Sequence, residues 1–162
     1  MSEKHLSHLD PSGKARMVDV SAKVPTVRRA VAGGRVRMSE EAFEQARKGD
    51  LKKGDLRGTA ELAGVMAAKR TAELIPLCHP LMLDNIQVQV DWDEALPGVT
   101  IRAEVRTQSR TGVEMEALTA VAVCALTVYD MIKAVDRAAV IETVGLLEKH
   151  GGRSGDVVLG ES

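Results

Sequence analysis

A chain of 162 residues, 44% hydrophobic and 28% charged, fits one domain large enough to bury a real core. Its 22 lysines and arginines nearly cancel its 23 aspartates and glutamates, so no global field draws it to nucleic acid or a membrane, and any anion site must be a local basic cluster. Phe43, Trp92 and Tyr129 are the only aromatic residues, which excludes the single-stranded nucleic-acid modules that stack bases on aromatic platforms.

No stretch approaches the roughly 20 apolar residues of a membrane span. Met1 to His5 lacks a hydrophobic signal region, so no targeting segment is expected. Two cysteines, Cys78 and Cys124, are too few for a disulfide scaffold and point to free thiols in a reduced cytoplasm. The organisation expected is a loose arm over 1–15, one α+β domain over 16–156 and a tail over 157–162.

In chain order, Met17-Val18-Asp19-Val20 reads as a short strand ending near Pro25, and Gly33-Gly34 reads as a turn. Ser39 is placed to cap a short helix through Glu40–Phe43. Gly54-Asp55 opens a second helix running to about Leu74, where the residue before Pro76 must leave helical geometry. Within it Ala60, Gly64, Ala68 and Ala72 recur every fourth position, a smooth ridge that lets a neighbouring element come close, with Leu62, Met66 and Ile75 as bulk beside it.

Ile86, Val88, Val90 and Trp92 then alternate with polar residues. After Leu96-Pro97-Gly98, so do Val99, Ile101, Ala103 and Val105, which predicts an antiparallel hairpin with one buried face. From Glu114 to about Val135 runs a helix apolar almost all round, hence buried on more than one side. A sheet on one side and another subunit on the other would account for it. Val140 to Leu147 returns as a strand, and Gly151–Asp156 forms a flexible end. Helices over an antiparallel sheet, with a hairpin between them, define a ferredoxin-like α+β layer with the long helices on one face.

Several polar groups could carry chemistry. At about 100° per residue, Thr119, Asp130, Lys133 and Arg137 fall on one side of the last helix. Asp130 and Lys133 are either an ordinary exposed ion pair or a tuned acid–base pair. Burial would lower the lysine's basicity and the carboxylate would restore it. Lys52-Lys53 precede a helix start, where anions bind well, although Asp55 could cap that start instead. Arg28-Arg29 and the glycine-rich segment around Arg153 are further phosphate candidates.

Pro76-Leu77-Cys78-His79-Pro80 brackets a histidine and a thiol between prolines, either a ligand-contacting loop or a stiff structural turn. Glu114-Met115-Glu116 opens the long helix, offsetting its dipole or accepting hydrogen bonds from a guanine-like ring edge. No zinc site is expected, because His5, His8 and His150 all lie near the termini and no Cys-x-x-Cys pair exists.

Together these segments resemble one family, the cyclic pyranopterin monophosphate synthases. The resemblance is carried by Arg16–Ser21, Lys53-Gly54-Asp55, Ala67–Thr71, Leu74–Leu81, Gly112–Thr119 and Tyr129–Ala134, and it runs from about His5 to Asp156. Leu56 where valine is common and Arg153 where lysine is common are the departures. The resemblance implies conversion of 3′,8-cyclo-7,8-dihydro-GTP to cyclic pyranopterin monophosphate with release of pyrophosphate, a lyase step in molybdenum cofactor biosynthesis. It implies Asp130, Lys133 and Lys53 as catalytic groups. Substrate contacts would come from Leu77, Cys78, His79, Glu114, Met115 and Glu116, with Arg28, Lys69 and Lys149 as candidates to clamp the triphosphate.

By the same resemblance the protein is a homohexamer, a trimer of dimers with sites between subunits, fed by an upstream radical SAM enzyme. No resident cofactor or metal is expected, and whether magnesium accompanies the triphosphate stays open. Three rival readings remain: a non-catalytic nucleotide-binding module, a metal-dependent phosphohydrolase, and a structural interaction protein. Each leaves the Asp130–Lys133 pair, the spacing of ligands or the His79 loop without a role.

Overall fold

A computed structural model describes residues 10–160. The elements are β1 (Thr26–Arg37), α1 (Glu40–Lys48), α2 (Leu56–Ala68), α3 (Thr71–Leu74), β2 (Asn85–Asp93), β3 (Gly98–Ser109), α4 (Glu114–Ile132), β4 (Val140–His150) and β5 (Val157–Val158). The sheet order is β2-β3-β1-β4-β5 and every pairing is antiparallel. Strand β3 lies between β1 and β2, the split arrangement of a ferredoxin-like fold, with β5 added at one edge.

Helices α2 and α4 pack on each other, α4 lying over β1, β3 and β4 and α2 over β2. Between them Ala30, Ala32, Val90, Ile101, Ala103 and Val105 join Ala117, Val121, Cys124 and Val128 in one core. The ridge expected on α2 is real: Ala60, Gly64 and Ala68 are buried, and a Cβ on Gly64 would lie 3.0 Å from the Ala120 carbonyl. Leu62 and Met66 are not core bulk; they remain 62% and 49% exposed. Against the expectation that no stretch approaches a membrane span, helix α4 has that length and composition, yet over half of its most apolar stretch is buried, as in a core helix.

The predicted hairpin forms, with Val88 opposite Ala103 and Val90 opposite Ile101. Ser39 caps α1, accepting from the Ala42 N–H, and Gly49 closes that helix in the left-handed region at φ 78°. Other expectations fail. Met17–Val20 is not a strand. Gly33 and Gly34 make no turn but sit in the middle of β1, the central strand, where a Cβ on Gly34 would lie 2.6 Å from Val121 Cγ1. Gly34 is a glycine because α4 presses against the sheet there.

The helix expected to run to Leu74 breaks at Lys69-Arg70, where the Thr71 hydroxyl donates to the Ala68 carbonyl at 3.0 Å and α3 restarts. The returning strand runs past Leu147 to His150, and Val157–Val158 pairs with it as β5. The expectation of a loose arm falls mostly on 1–9, outside the described residues. At its end the Asp10 carboxylate accepts from the Ser12 and Lys14 amides and closes a turn.

Candidate active site

A cleft of about 390 Å³ opens between the 18–23 segment, the proline-bracketed loop and the N-terminus of α4. Leu77, Cys78 and His79 form one wall and Glu114, Met115 and Glu116 another, so two segments far apart in sequence meet. The loop is pinned by the Cys78 amide donating to the Ile75 carbonyl at 3.1 Å. Ile75 is extended ahead of Pro76, as proline requires. His79 also borders a smaller cavity of about 110 Å³, which it shares with Lys69 and Glu116.

Glu116 is only 4% exposed. Burial first, and the charge of Glu114 second, push its carboxyl up to about 7, so it can donate or accept a proton at neutrality. Burial also raises the Cys78 thiol, with Glu116 adding to the effect, so that sulfur is a protonated wall and not a nucleophile.

Beside this end of α4 lie two of the three clamp candidates. Arg28 donates to the Arg110 carbonyl at 3.4 Å while its Nε is buried without a hydrogen-bond partner among the described residues. Gly152 rests against the same guanidinium. Lys149 donates to the Ser154 hydroxyl and stands 3.9 Å from Glu114 Oε1.

The lysine–carboxylate group is elsewhere. Lys53 Nζ lies 2.5 Å from Asp130 Oδ2, and Lys133 Nζ lies 2.7 Å from Oδ1. Asp55 does cap α2, accepting from the Gly58 N–H at 3.1 Å, which leaves Lys53 free to reach α4. The three side chains are each about half exposed. The question left by the sequence resolves in favour of the carboxylate. Lys133's hydrogen bond first, then Lys53's, hold Asp130 down to about 2, and Asp130 raises Lys133 above its ordinary value. The rest of the expected stripe disperses: Thr119 is buried, and Arg137 lies beyond the helix, its carbonyl accepting from the Tyr129 hydroxyl at 3.0 Å.

Glu114 and Asp130 are sixteen residues apart on one helix, a separation of about 24 Å at 1.5 Å per residue. One chain therefore carries two separate polar groups, a cleft with cations beside it at one end of α4 and the lysine–aspartate–lysine group at the other. Sequence reading missed Lys23, Val18 and Val20, which line the cleft, and Arg110, whose Nε donates to the Lys23 carbonyl at 3.0 Å. The only signal is position: Lys23 lies just past the Asp19-Val20 segment, which has the alternation of a strand.

A ferredoxin-like domain with a near-neutral carboxyl, a cation pair and a lysine–aspartate–lysine group is equipped for acid–base chemistry on an anionic ligand. Comparison with known proteins agrees: the MoaC family model matches residues 17–152. The cyclic pyranopterin monophosphate synthase of Trichodesmium erythraeum (strain IMS101) is 57% identical over 157 residues, 97% of this chain and 95% of that protein. The synthase of Methylobacterium sp. (strain 4-46) is 61% identical over 150 residues, 93% and 94% of the two chains. That of Brucella ovis (strain ATCC 25840 / 63/290 / NCTC 10512) is 56% identical over 151, or 93% and 92%. The chain belongs to the MoaC family, and the expectation of a lyase of molybdenum cofactor biosynthesis holds.

Proposed function

We propose that the chain converts 3′,8-cyclo-7,8-dihydro-GTP to cyclic pyranopterin monophosphate and pyrophosphate in a site assembled from two copies of itself. The observation that carries this reading is the separation of the two half-sites along α4. Among the described residues the lysine–aspartate–lysine group lies far from the cleft of its own chain, and a second copy can bring one to it. The exposed Leu62, Met66 and Leu126 on the outer faces of α2 and α4 favour such association. A hexamer built as a trimer of dimers would complete every site.

In this site the paired acceptors of Glu114 and Glu116 face the N–H edge of the purine-derived ring, with His79 held in a fixed direction beside it. Arg28, Lys149 and Lys69 hold the triphosphate while an oxygen of the substrate attacks the α-phosphorus and pyrophosphate departs. Lys133, kept protonated by Asp130, serves with Lys53 in proton transfer to the rearranging rings. The reaction balances without a redox partner, and magnesium, where present, would arrive on the triphosphate. The substrate comes from a radical SAM enzyme acting just upstream, and the chain works in the cytoplasm.

The test is turnover of purified substrate with both products followed together. Wild type should make both, and Lys53→Ala, Asp130→Ala and Lys133→Ala should fold but stall. A folded wild type that makes neither product would leave a nucleotide-binding module as the better account.

A further inference from the structure

We infer that His150, set between the carboxylates of Glu148 and Asp156, is a positioning residue whose doubly protonated ring holds the Gly151–Asp156 turn against Arg28 and Lys149. The inference rests on those two residues being the anion clamp proposed above. His150 itself lies outside that clamp and touches none of its reacting atoms.

The ring stands with Nε2 3.2 Å from Glu148 Oε2 and Nδ1 3.2 Å from Asp156 Oδ2. An ionised carboxylate can only accept hydrogen bonds, so Nε2 meets Glu148 as a donor, and with Nδ1 at ion-pair distance from Asp156 only the imidazolium presents an N–H to both. A neutral ring would turn a lone pair towards one of the two carboxylates. Both carboxylates are held ionised. Glu148 is drawn down to about 2, by Arg29 first and then by His150 and Arg102, and Asp156 is lowered by the Gly151 amide and then by His150.

What the imidazolium holds is the turn. Asp156 Oδ1 accepts from the Gly151 N–H at 3.0 Å, and the Gly155 N–H donates to the Gly152 carbonyl at 3.1 Å. Gly151 and Gly152 have φ of 89° and 85°, a conformation natural to glycine, and a Cβ on either would collide with the Val27 carbonyl or the Arg28 guanidinium. The Lys149 ammonium donates to Ser154 within the same turn. Arg28, Lys149 and the turn therefore move as one unit, and Asp156 is its latch to β4.

The charged groups around the ring are Glu148 and Asp156, which favour the proton, and Arg29, which opposes it, with Lys149 adjacent in the chain. The Asp156 bond first and the Glu148 bond second raise His150 above the ordinary 6.5. The latch is thus complete below that value and opens as pH climbs through the raised one.

Pyrophosphate is the probe. Its dissociation constant would be measured by calorimetry for wild type and His150→Gln at about pH 6 and at a pH well above the His150 titration midpoint, located by proton NMR. The ratio of the two constants at each pH cancels the ligand's own ionisation. At the lower pH the variant should bind on the order of fivefold more weakly, the scale of an exposed charged pair. At the higher pH the ratio should approach one. With nucleotide substrate the variant should raise KM while kcat holds, and Asp156→Asn should lower the His150 titration midpoint read by proton NMR.

A ratio that is the same at both pH values, or a variant that binds as wild type does, overturns the inference. Wild type that fails to bind pyrophosphate at any pH overturns the clamp and the latch together. Loss of the predicted turnover with the pH-dependent ratio intact would remove the activity reading and leave the latch standing.

Discussion

Lys53 reaches from the loop ahead of α2 to Asp130 on the last turn of α4, its Nζ 2.5 Å from Oδ2 and 2.9 Å from the backbone carbonyl of the same residue. Lys133 takes the other carboxylate oxygen at 2.7 Å. One carboxylate thus pairs with both lysine side chains, and it raises Lys133 above its ordinary value.

Removing any of the three should affect rate far more than stability. Exposed pairs of this kind add little to folding. Lys53→Ala, Asp130→Ala and Lys133→Ala should melt close to wild type, while kcat falls by about 10²–10⁴-fold, the usual loss for a general acid or base. Asp130→Asn should in addition let the Lys133 pKa fall, which a pH–rate profile would read. Melting temperatures many degrees low would make the group structural instead.

The cations at the other end of α4 should behave differently. Arg28→Ala and Lys149→Ala each remove a charge-assisted contact to phosphate, worth about 1.5–3 kcal/mol. KM should rise by about 10–100-fold with a smaller change in kcat. Steady-state kinetics on both variants reads the split directly, and a pure kcat effect would argue against a binding role.

Glu116 makes stability depend on pH. Its folded carboxyl titrates at about 7 against 4.5 unfolded, so the folded state binds the extra proton between those values. The stabilisation is full below the unfolded value and is lost as pH rises through 7, the loss reaching about 3 kcal/mol at the alkaline end. Glu116→Gln has no such charge to bury. Urea unfolding should show the variant gaining on wild type as pH goes from about 5 to about 8, and parallel curves would refute the assignment.

The middle of β1 has no room for side chains on its packed face. Gly34→Ala forces a methyl against Val121 and the Thr143 carbonyl, 2.6 and 2.9 Å away, and should cost about 1–3 kcal/mol. Gly145→Ala meets nothing within 4 Å and should be close to neutral. Thermal melts of the pair would check the contrast.

The same glycines mark where sequence reading stops. Period-2 alternation made β2 and β3 legible because each has one buried face, and the four-residue spacing of Ala60, Gly64 and Ala68 correctly announced a close helix contact. Gly33-Gly34 looks locally like a turn; only the approach of Val121 explains it as strand, and that contact is made across almost ninety residues of chain. Val18-Asp19-Val20 has the alternation of a strand, but its valines face a cleft and not a sheet.

The cleft walls were visible in the proline-bracketed loop and in Glu114-Met115-Glu116, since both have unusual local chemistry. Lys23 and Arg110 were not, because ordinary basic residues acquire a role only from what folds next to them. The spacing of Glu114 and Asp130 could have been read from the helix alone, and it carries the largest consequence: the two groups cannot meet within one chain.

The central claim, a site shared by two copies, is tested most directly by mixing inactive chains. Lys133→Ala lacks one half-site and the double variant Arg28→Ala/His79→Ala lacks the other. Each alone should fold and fail to turn over the substrate. Assembled together at equal amounts, the two should recover about a quarter of wild-type turnover, since half of randomly paired dimers are mixed and each holds one intact site. A mixture that assembles fully and stays as inactive as its parents would contradict the shared site.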